Sequence, residues 1–463
     1  MPQNFIRGDV DQGFLLPPDV RDWLPEGELA WTVRDVVESV DLSAFYRSYR
    51  ANGQGAAAFD PALMVAVLLY AHAVGVRSSR AIERCCARDV AFRVLAGNRL
   101  PDHATIARFF TRHRTALEGL FAQVLRLCHG AGMVRLGVIA VDGTKIAANA
   151  SWSANHTARS LGHQVSEEQA RYDRLAADLL DEHAATDAAE DAEHGPDRGD
   201  ELPPGLRRRA ERLARLKEAK QRLDEEQAAA VADQEAKKAE WQRRKEAGTR
   251  RGAPPGEHPP GRNPDKDKPP RANTTDPDSR GMRGGRGLVQ GYNAQAAVTA
   301  DQIIVGEMLT QVAVDAGLAD EVMDAVDERL TEAGLSEEPD TYVADAGYAN
   351  EEAFVEAENR GVHLLAPTIS DERRAAGEDP AGDKPLTNRP ATARAQAKLR
   401  TRQGRDEYAT RGRTVEPVFG QIKDRQGLRQ FLRRGLANVK TEWSLACTVH
   451  NLRKIHAHRL ATA

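Results

Sequence analysis

The chain has 463 residues, long enough for more than one folded unit, and its 41% apolar and 29% charged content fits a globular protein with long solvated helices. The longest apolar stretch, around Leu63–Val76, is too short to span a bilayer. The N-terminus shows no signal peptide, and the four cysteines lack the spacing of a zinc site or a disulfide frame, so a reducing cytoplasm is expected. A net charge of −4 argues against a nucleic-acid partner, but 387–463 carries 17 Lys and Arg against 5 Asp and Glu, an excess of twelve that suits a polyanion.

Asp60-Pro61 reads as a helix cap followed by proline at the first helical position, with an apolar helix to about Val74. Ser79 is the expected cap of a next helix running through "RAIERCCARDVAFRVLA". Asp102 is the expected cap of a long helix reaching "LCHGAG". Residues 1–133 thus form an all-helical unit. Arg77, Arg80, Arg84, Arg99, Arg108, Arg112 and Arg114 pepper it. They read equally as DNA contacts of a helix-turn-helix-like bundle or as the basic rim of an ordinary one.

"VIAV" at 138–141 is an apolar strand that runs into Asp142-Gly143. The pattern then turns helical. Ser166-x-x-Gln169 suggests a capping box, and Leu206, Leu213, Leu216 and Leu223 form a coiled-coil-like stripe with charged outer faces. The stretch 152–247 therefore reads as an inserted helical hairpin, with an acidic segment between its arms. Residues 248–280 hold 8 of the 23 prolines and read as an extended linker.

Beyond it, "LVQGYNAQAAVTADQIIVGEML" gives two strands joined by a hairpin at 299–301. A helix is expected over about 315–333. A strand ending in Asp345 follows, then a helix from near Asn350, a strand at 362–366, and helices over about 413–425 and 437–459. With the insertion set aside, this is an α/β unit of about five strands in a mixed sheet with flanking helices.

Two strands thus each end in an aspartate. Taken alone, such an aspartate is more often a turn or cap residue. Two of them at strand ends in an open α/β sheet can also share a pocket, where their mutual repulsion calls for a cation such as Mg²⁺. Glu416 is the best third carboxylate. It opens a helix on which Lys423 and Arg413 return to nearly the same side, suiting a site for both metal and phosphodiester. The Glu416-Pro417 pair also fits a plain first-turn acid.

The segments "VDGTKIAANAS", "NTTDPDSRGMRGGRGLVQGYNAQAAV", "ADAGYANEE" and "VEPVFGQIKDRQGLRQFLRRG" together resemble the DDE transposases of bacterial insertion sequences. "FDPALMVAVLLYAHAVGVRSSRAIE" and "LPDHATIARFFTRHR" resemble the helical domain that precedes their catalytic core. The resemblance covers roughly 40–150 and 270–455. It implies an RNase H-like core made of 134–151 and 281–463, preceded by the helical domain 1–133 and interrupted by the insertion.

It further implies Asp142, Asp345 and Glu416 as a triad for two Mg²⁺ or Mn²⁺ ions, with metal-dependent cleavage at transposon ends and strand transfer into target DNA. Double-stranded DNA and a second copy of the chain are the implied partners. In one branch of the family the glutamate lies in a Tyr-x2-Arg-x3-Glu-x6-Lys signature. Here Tyr408, Arg411, Glu416 and Lys423 match it, except that four residues separate Arg411 from Glu416. The phosphate-contacting arginine is therefore either Arg411 or Arg413. The alternative reading is a transposase-derived DNA-binding protein without catalysis. The terminal repeats, the target, the transposition route and the role of the hairpin are not legible.

Overall fold

The computed structural model describes residues 20–49, 57–194, 204–246, 270–285, 287–368 and 389–462. Its N-terminal helices are α1 (Leu29–Ser39), α2 (Ser43–Tyr46), α3 (Pro61–Ala73), α4 (Ser79–Arg88), α5 (Val90–Leu95), α6 (His103–Arg112) and α7 (Arg114–Gly130). Asp60 caps α3 as expected, accepting from the Ala62 amide. The cap of α4 is Ser78, one residue before the expected Ser79. The expected single helix beyond it breaks at Asp89, whose carboxylate caps α5 instead of lying inside a helix. Likewise the long helix after Asp102 breaks at His113. In both places a polar residue satisfies free amides or ring contacts that apolar spacing alone does not reveal.

The strands are β1 (Val138–Ala147), β2 (Asn155–Thr157), β3 (Arg271–Asn273), β4 (Arg280–Gly284), β5 (Gly287–Thr299), β6 (Ile304–Thr310), β7 (Thr341–Val343) and β8 (His363–Leu365). β5 runs antiparallel to β1 from end to end. On its other edge β4 pairs with its first half and β6 with its second. β7 lies parallel to β1 only over Val138–Ala140, and β8 lies parallel to β7. The sheet order is β6–β5–β1–β7–β8, with β4 prolonging the β6 edge. β1 does not end before Asp142 as its apolar run suggests. β5 supplies partners as far as Ala147, so the strand continues through polar residues once one neighbour is secured.

The insertion comprises α8 (Ala158–His194) and α9 (Pro204–Glu246). Ser166 lies inside α8, where its hydroxyl donates to the Gly162 carbonyl, so it is no cap. The hairpin has a small core of its own: Leu161, Leu216, Ala219 and Leu223 close on Ala272 of β3. β3 falls within the expected linker but pairs only with β2, outside the main sheet. Residues 248–269 of that linker lie outside the described residues.

The remaining helices are α10 (Ala319–Ala333), α11 (Glu351–Asn359), α12 (Pro390–Leu399), α13 (Arg402–Tyr408), α14 (Thr410–Arg425) and α15 (Leu436–Thr462). Apolar residues of α15 are buried among α7, α3, α1 and β6, so the N-terminal helices and the sheet share one core reaching from Leu29 to Ile455. No described helix is long and apolar enough to cross a membrane.

Candidate active site

β7 stops pairing with β1 at Ala140, and the segment around Gln430 meets the same edge again only at Ala147. Asp142 lies in the gap, opposite Ala296 of β5. α14 closes over it. Val415, Val418, Phe419 and Ile422 are buried at helical spacing and hold the helix on the sheet.

Three carboxylates meet one cation there. The Arg411 guanidinium donates to Asp142 Oδ2 at 2.8 Å and lies 3.9 Å from both Asp345 Oδ2 and Glu416 Oε1. Asp345 follows β7 and caps a short 3-10 turn, accepting from the Gly347 amide at 2.9 Å. Glu416 is the most exposed of the three. Burial raises the Asp142 carboxyl to about 6. Arg411 and the Gly143 amide pull it down, and Asp345 and Asp315 push it further up. Arg411 is itself held above its ordinary value by the surrounding acids, although burial opposes this. Its Nε is buried and unpartnered among the described residues.

On the same face of β1, two residues past Asp142, Thr144 accepts from the Lys423 ammonium. Burial and the nearby Arg429 lower the Lys423 pKa. Lys423 and Glu416 share a side of α14, as their seven-residue spacing requires. Of the two candidate arginines, Arg411 enters the acid cluster while Arg413 is exposed. Tyr408 is half-buried at the end of α13, against the core.

Glu416 does not open its helix. α14 begins at Thr410, which leaves Pro417 in the interior, where it lacks the N–H owed to the carbonyl four residues back. That carbonyl belongs to Arg413, and the Gln302 side-chain amide donates to it at 3.2 Å. Gln302 sits in the β5–β6 turn at φ 62. Lys454 and Gln421 both donate to its Oε1, and its backbone carbonyl bonds to His450. A proline read as a helix start is thus tolerated as an interior residue because a distant turn supplies the missing donor.

The opposite face of β1 carries a polar cluster that sequence reasoning did not single out. Lys145 bonds both oxygens of Asp315, at 3.0 and 3.2 Å. Asn293 and Gln295 each donate to Asp315 Oδ1 at 2.8 Å. The Tyr348 hydroxyl completes the cluster on Gln295. Gly143 is required beside it, since a Cβ there would lie 2.3 Å from Gln295 Nε2 and 2.7 Å from Asp315 Oδ1. The absent side chain therefore makes room for this cluster, not for a ligand. The available signal was two polar residues, Asn293 and Gln295, at strand spacing inside a run buried on every side.

Among the described residues no three His, Cys, Asp or Glu side chains converge closely enough to hold a metal ion as they stand. The acids nonetheless fit a divalent cation in kind. They are oxygen donors from three separate elements sharing one cationic partner, and the guanidinium occupies the space between them.

A basic helix, α14, thus closes on two strand-borne acids. Two family models match the chain: the Transposase domain (DUF772) over residues 18–112 and the Transposase DDE domain over residues 384–456. The chain thus carries a transposase domain towards each end, a pair consistent with a DDE transposase of the insertion-sequence kind. The second match contains Arg411, Glu416 and Lys423, and neither reaches Asp142 or Asp345. No curated protein and no solved structure matches the chain.

Proposed function

We propose that the protein is an active DDE transposase that cleaves DNA at the ends of its element and joins them to target DNA, with Asp142, Asp345 and Glu416 as the acid triad. The observation that carries this reading is the meeting of the three carboxylates on one guanidinium, beneath a helix that lies within the matched DDE domain. The strand order, three antiparallel strands followed by two parallel ones, supports an RNase H-like core.

Two bound Mg²⁺ or Mn²⁺ ions would supply activation of water or a 3′-hydroxyl and neutralisation of the leaving oxygen. Asp142 and Asp345 would hold them from the sheet and Glu416 from the helix. To free Asp142 for this, Arg411 must swing off its Oδ2. The displaced guanidinium then lies beside the acids, placed to pair with a backbone phosphate as a fork. Lys423, held at Thr144, adds a second positive charge on the same face. A homodimer bringing two DNA ends together is the working assembly.

The test is cleavage of a duplex carrying the element's terminal repeats, with Mg²⁺ or Mn²⁺. Asp142→Asn, Asp345→Asn and Glu416→Gln should each lower cleavage by at least about 10³-fold and leave duplex binding within about threefold of the parent. Cleavage retained in any one variant removes that residue from the triad. A parent that binds duplex but never cuts leaves the non-catalytic reading.

A further inference from the structure

A second basic site lies at the root of the insertion. A cleft of about 400 Å³ opens there between α9 and the core. Its lining includes Arg212, Arg215, Arg434, Thr274, Thr275 and Ser153, and contains no carboxylate. We propose that this cleft binds a backbone phosphate of duplex DNA, so that the insertion helps to hold DNA running from the acid site; the proposal rests on the transposase reading.

The charge pattern of α9 sets this end apart. Further along the helix, cations are paired with acids one turn away: Lys220 with Asp224, Arg222 with Glu218, Lys237 with Asp233 and Arg244 with Glu240. At the root, "RRRAERLAR" over 207–215 places five arginines against one glutamate. Arg209 and Arg212 lean on the buried Glu168, at 3.1 and 3.6 Å. Among the described residues no carboxylate pairs with Arg215. An excess of arginine at a concave surface is suited to forked recognition of phosphate.

The site is built from parts fixed elsewhere. Asn273 of β3 is fully buried, and its side-chain oxygen accepts from the Thr275 and Asp276 amides at 2.9 and 3.2 Å, which sets the loop carrying both threonines. The carboxylates of Asp276 and Asp278 accept from the amides of Gly435 and Leu436, at 3.1 and 2.7 Å. Those bonds hold the turn that carries Arg434. The Arg434 side chain in turn donates to the carbonyl and side-chain oxygens of Asn149. The acids of the "NTTDPDS" motif are therefore engaged in anchoring this turn, while its two threonines, Thr274 and Thr275, line the cleft. Meanwhile Leu216 ties α9 to β3 through the small core beneath.

Asn149 lies seven residues along the chain from Asp142. At strand rise this sets the cleft roughly 20 Å from the acids, about six base pairs of duplex. A stiff polyanion held at one place can reach the other, whereas a small anion would have no reason to use both.

The proposal is tested on the full-length chain with a random-sequence duplex of about 40 base pairs, by fluorescence anisotropy across a salt series. Arg215→Ala should reduce the slope of log affinity against log salt by about one, and Arg212→Ala/Arg215→Ala by about two. Arg243→Ala, exposed near the far end of α9, should leave the slope unchanged. The single variant removes no described ion pair, so it remains informative if the double variant unfolds. Equal slopes for parent and Arg215→Ala overturn the phosphate site while leaving the transposase reading intact. An equal fall for Arg243→Ala also overturns it, because the effect would then be diffuse charge. Altered self-association at an unchanged slope makes the cleft a protein contact and overturns it too. A parent without salt-dependent duplex binding overturns both readings.

Discussion

The two faces of β1 handle charge in opposite ways. Facing α14, Asp142 has one close cationic partner, Arg411, and burial holds its carboxyl near 6. On the other face, Asp315 is surrounded by Lys145, Asn293 and Gln295, each donating to it. The second arrangement is complete and needs nothing more. The first is less well satisfied: burial raises the Asp142 carboxyl to about 6, and a buried guanidinium nitrogen has no partner among the described residues. Perturbed and unsatisfied groups gathered in one place are a mark of functional sites. The difference separates a cluster that is complete in itself from the one proposed to take a metal, although they lie on opposite faces of one strand.

Three tests sharpen or break this contrast. The largest effect is expected from Lys145→Met, which leaves Asp315 partly buried with only amide donors. Urea denaturation should show a loss of about 2–3 kcal/mol. A neutral result would mean that the Asp315 cluster does not support the strand.

Next, Asp142→Asn should stabilise the protein at pH 8 in the absence of divalent ions, by about 1–3 kcal/mol. The sign follows from the raised pKa. Between about 4 and 6 the folded state holds the proton more tightly than the unfolded state, so stability rises as pH falls through that window. The gain from Asn should therefore fade by about pH 4, and melting curves at the two pH values check it. Cleavage by the parent should fall as pH drops below about 6, because a protonated Asp142 cannot bind a cation.

The smallest effect concerns the helix that carries Glu416. Gln302→Ala removes the donor to the Arg413 carbonyl and should cost about 1 kcal/mol. Pro417→Ala restores a backbone donor, so the two changes should be non-additive in a double-mutant cycle. Additive changes would mean that Gln302 does not compensate for the proline.

Much of this was readable in the chain. The strands around 138 and 342, the hairpin at 299–301 and the α/β alternation all carry strong apolar periodicity, and the three acids stand beside them. Partner lengths were not readable. β1 continues past Asp142 because β5 happens to be long enough to pair with it, and no local pattern in "DGTKIA" shows this. Helix ends failed where a single polar residue decides them, at Ser78, Asp89 and His113. The choice between Arg411 and Arg413 also depended on tertiary placement. Spacing to Glu416 left both open, and it is Arg411 that reaches the acids, from the first turn of α14.

The Pro417 gap has a mechanical consequence. A helix missing one backbone bond is compliant at that level, and here the soft point falls one residue after Glu416. Gln302 acts as a stop that can be released at the cost of one side-chain contact, leaving the rest of the ladder intact. The glutamate can thus shift against the two strand-borne acids, while the buried ridge of Val418, Phe419 and Ile422 keeps the helix seated.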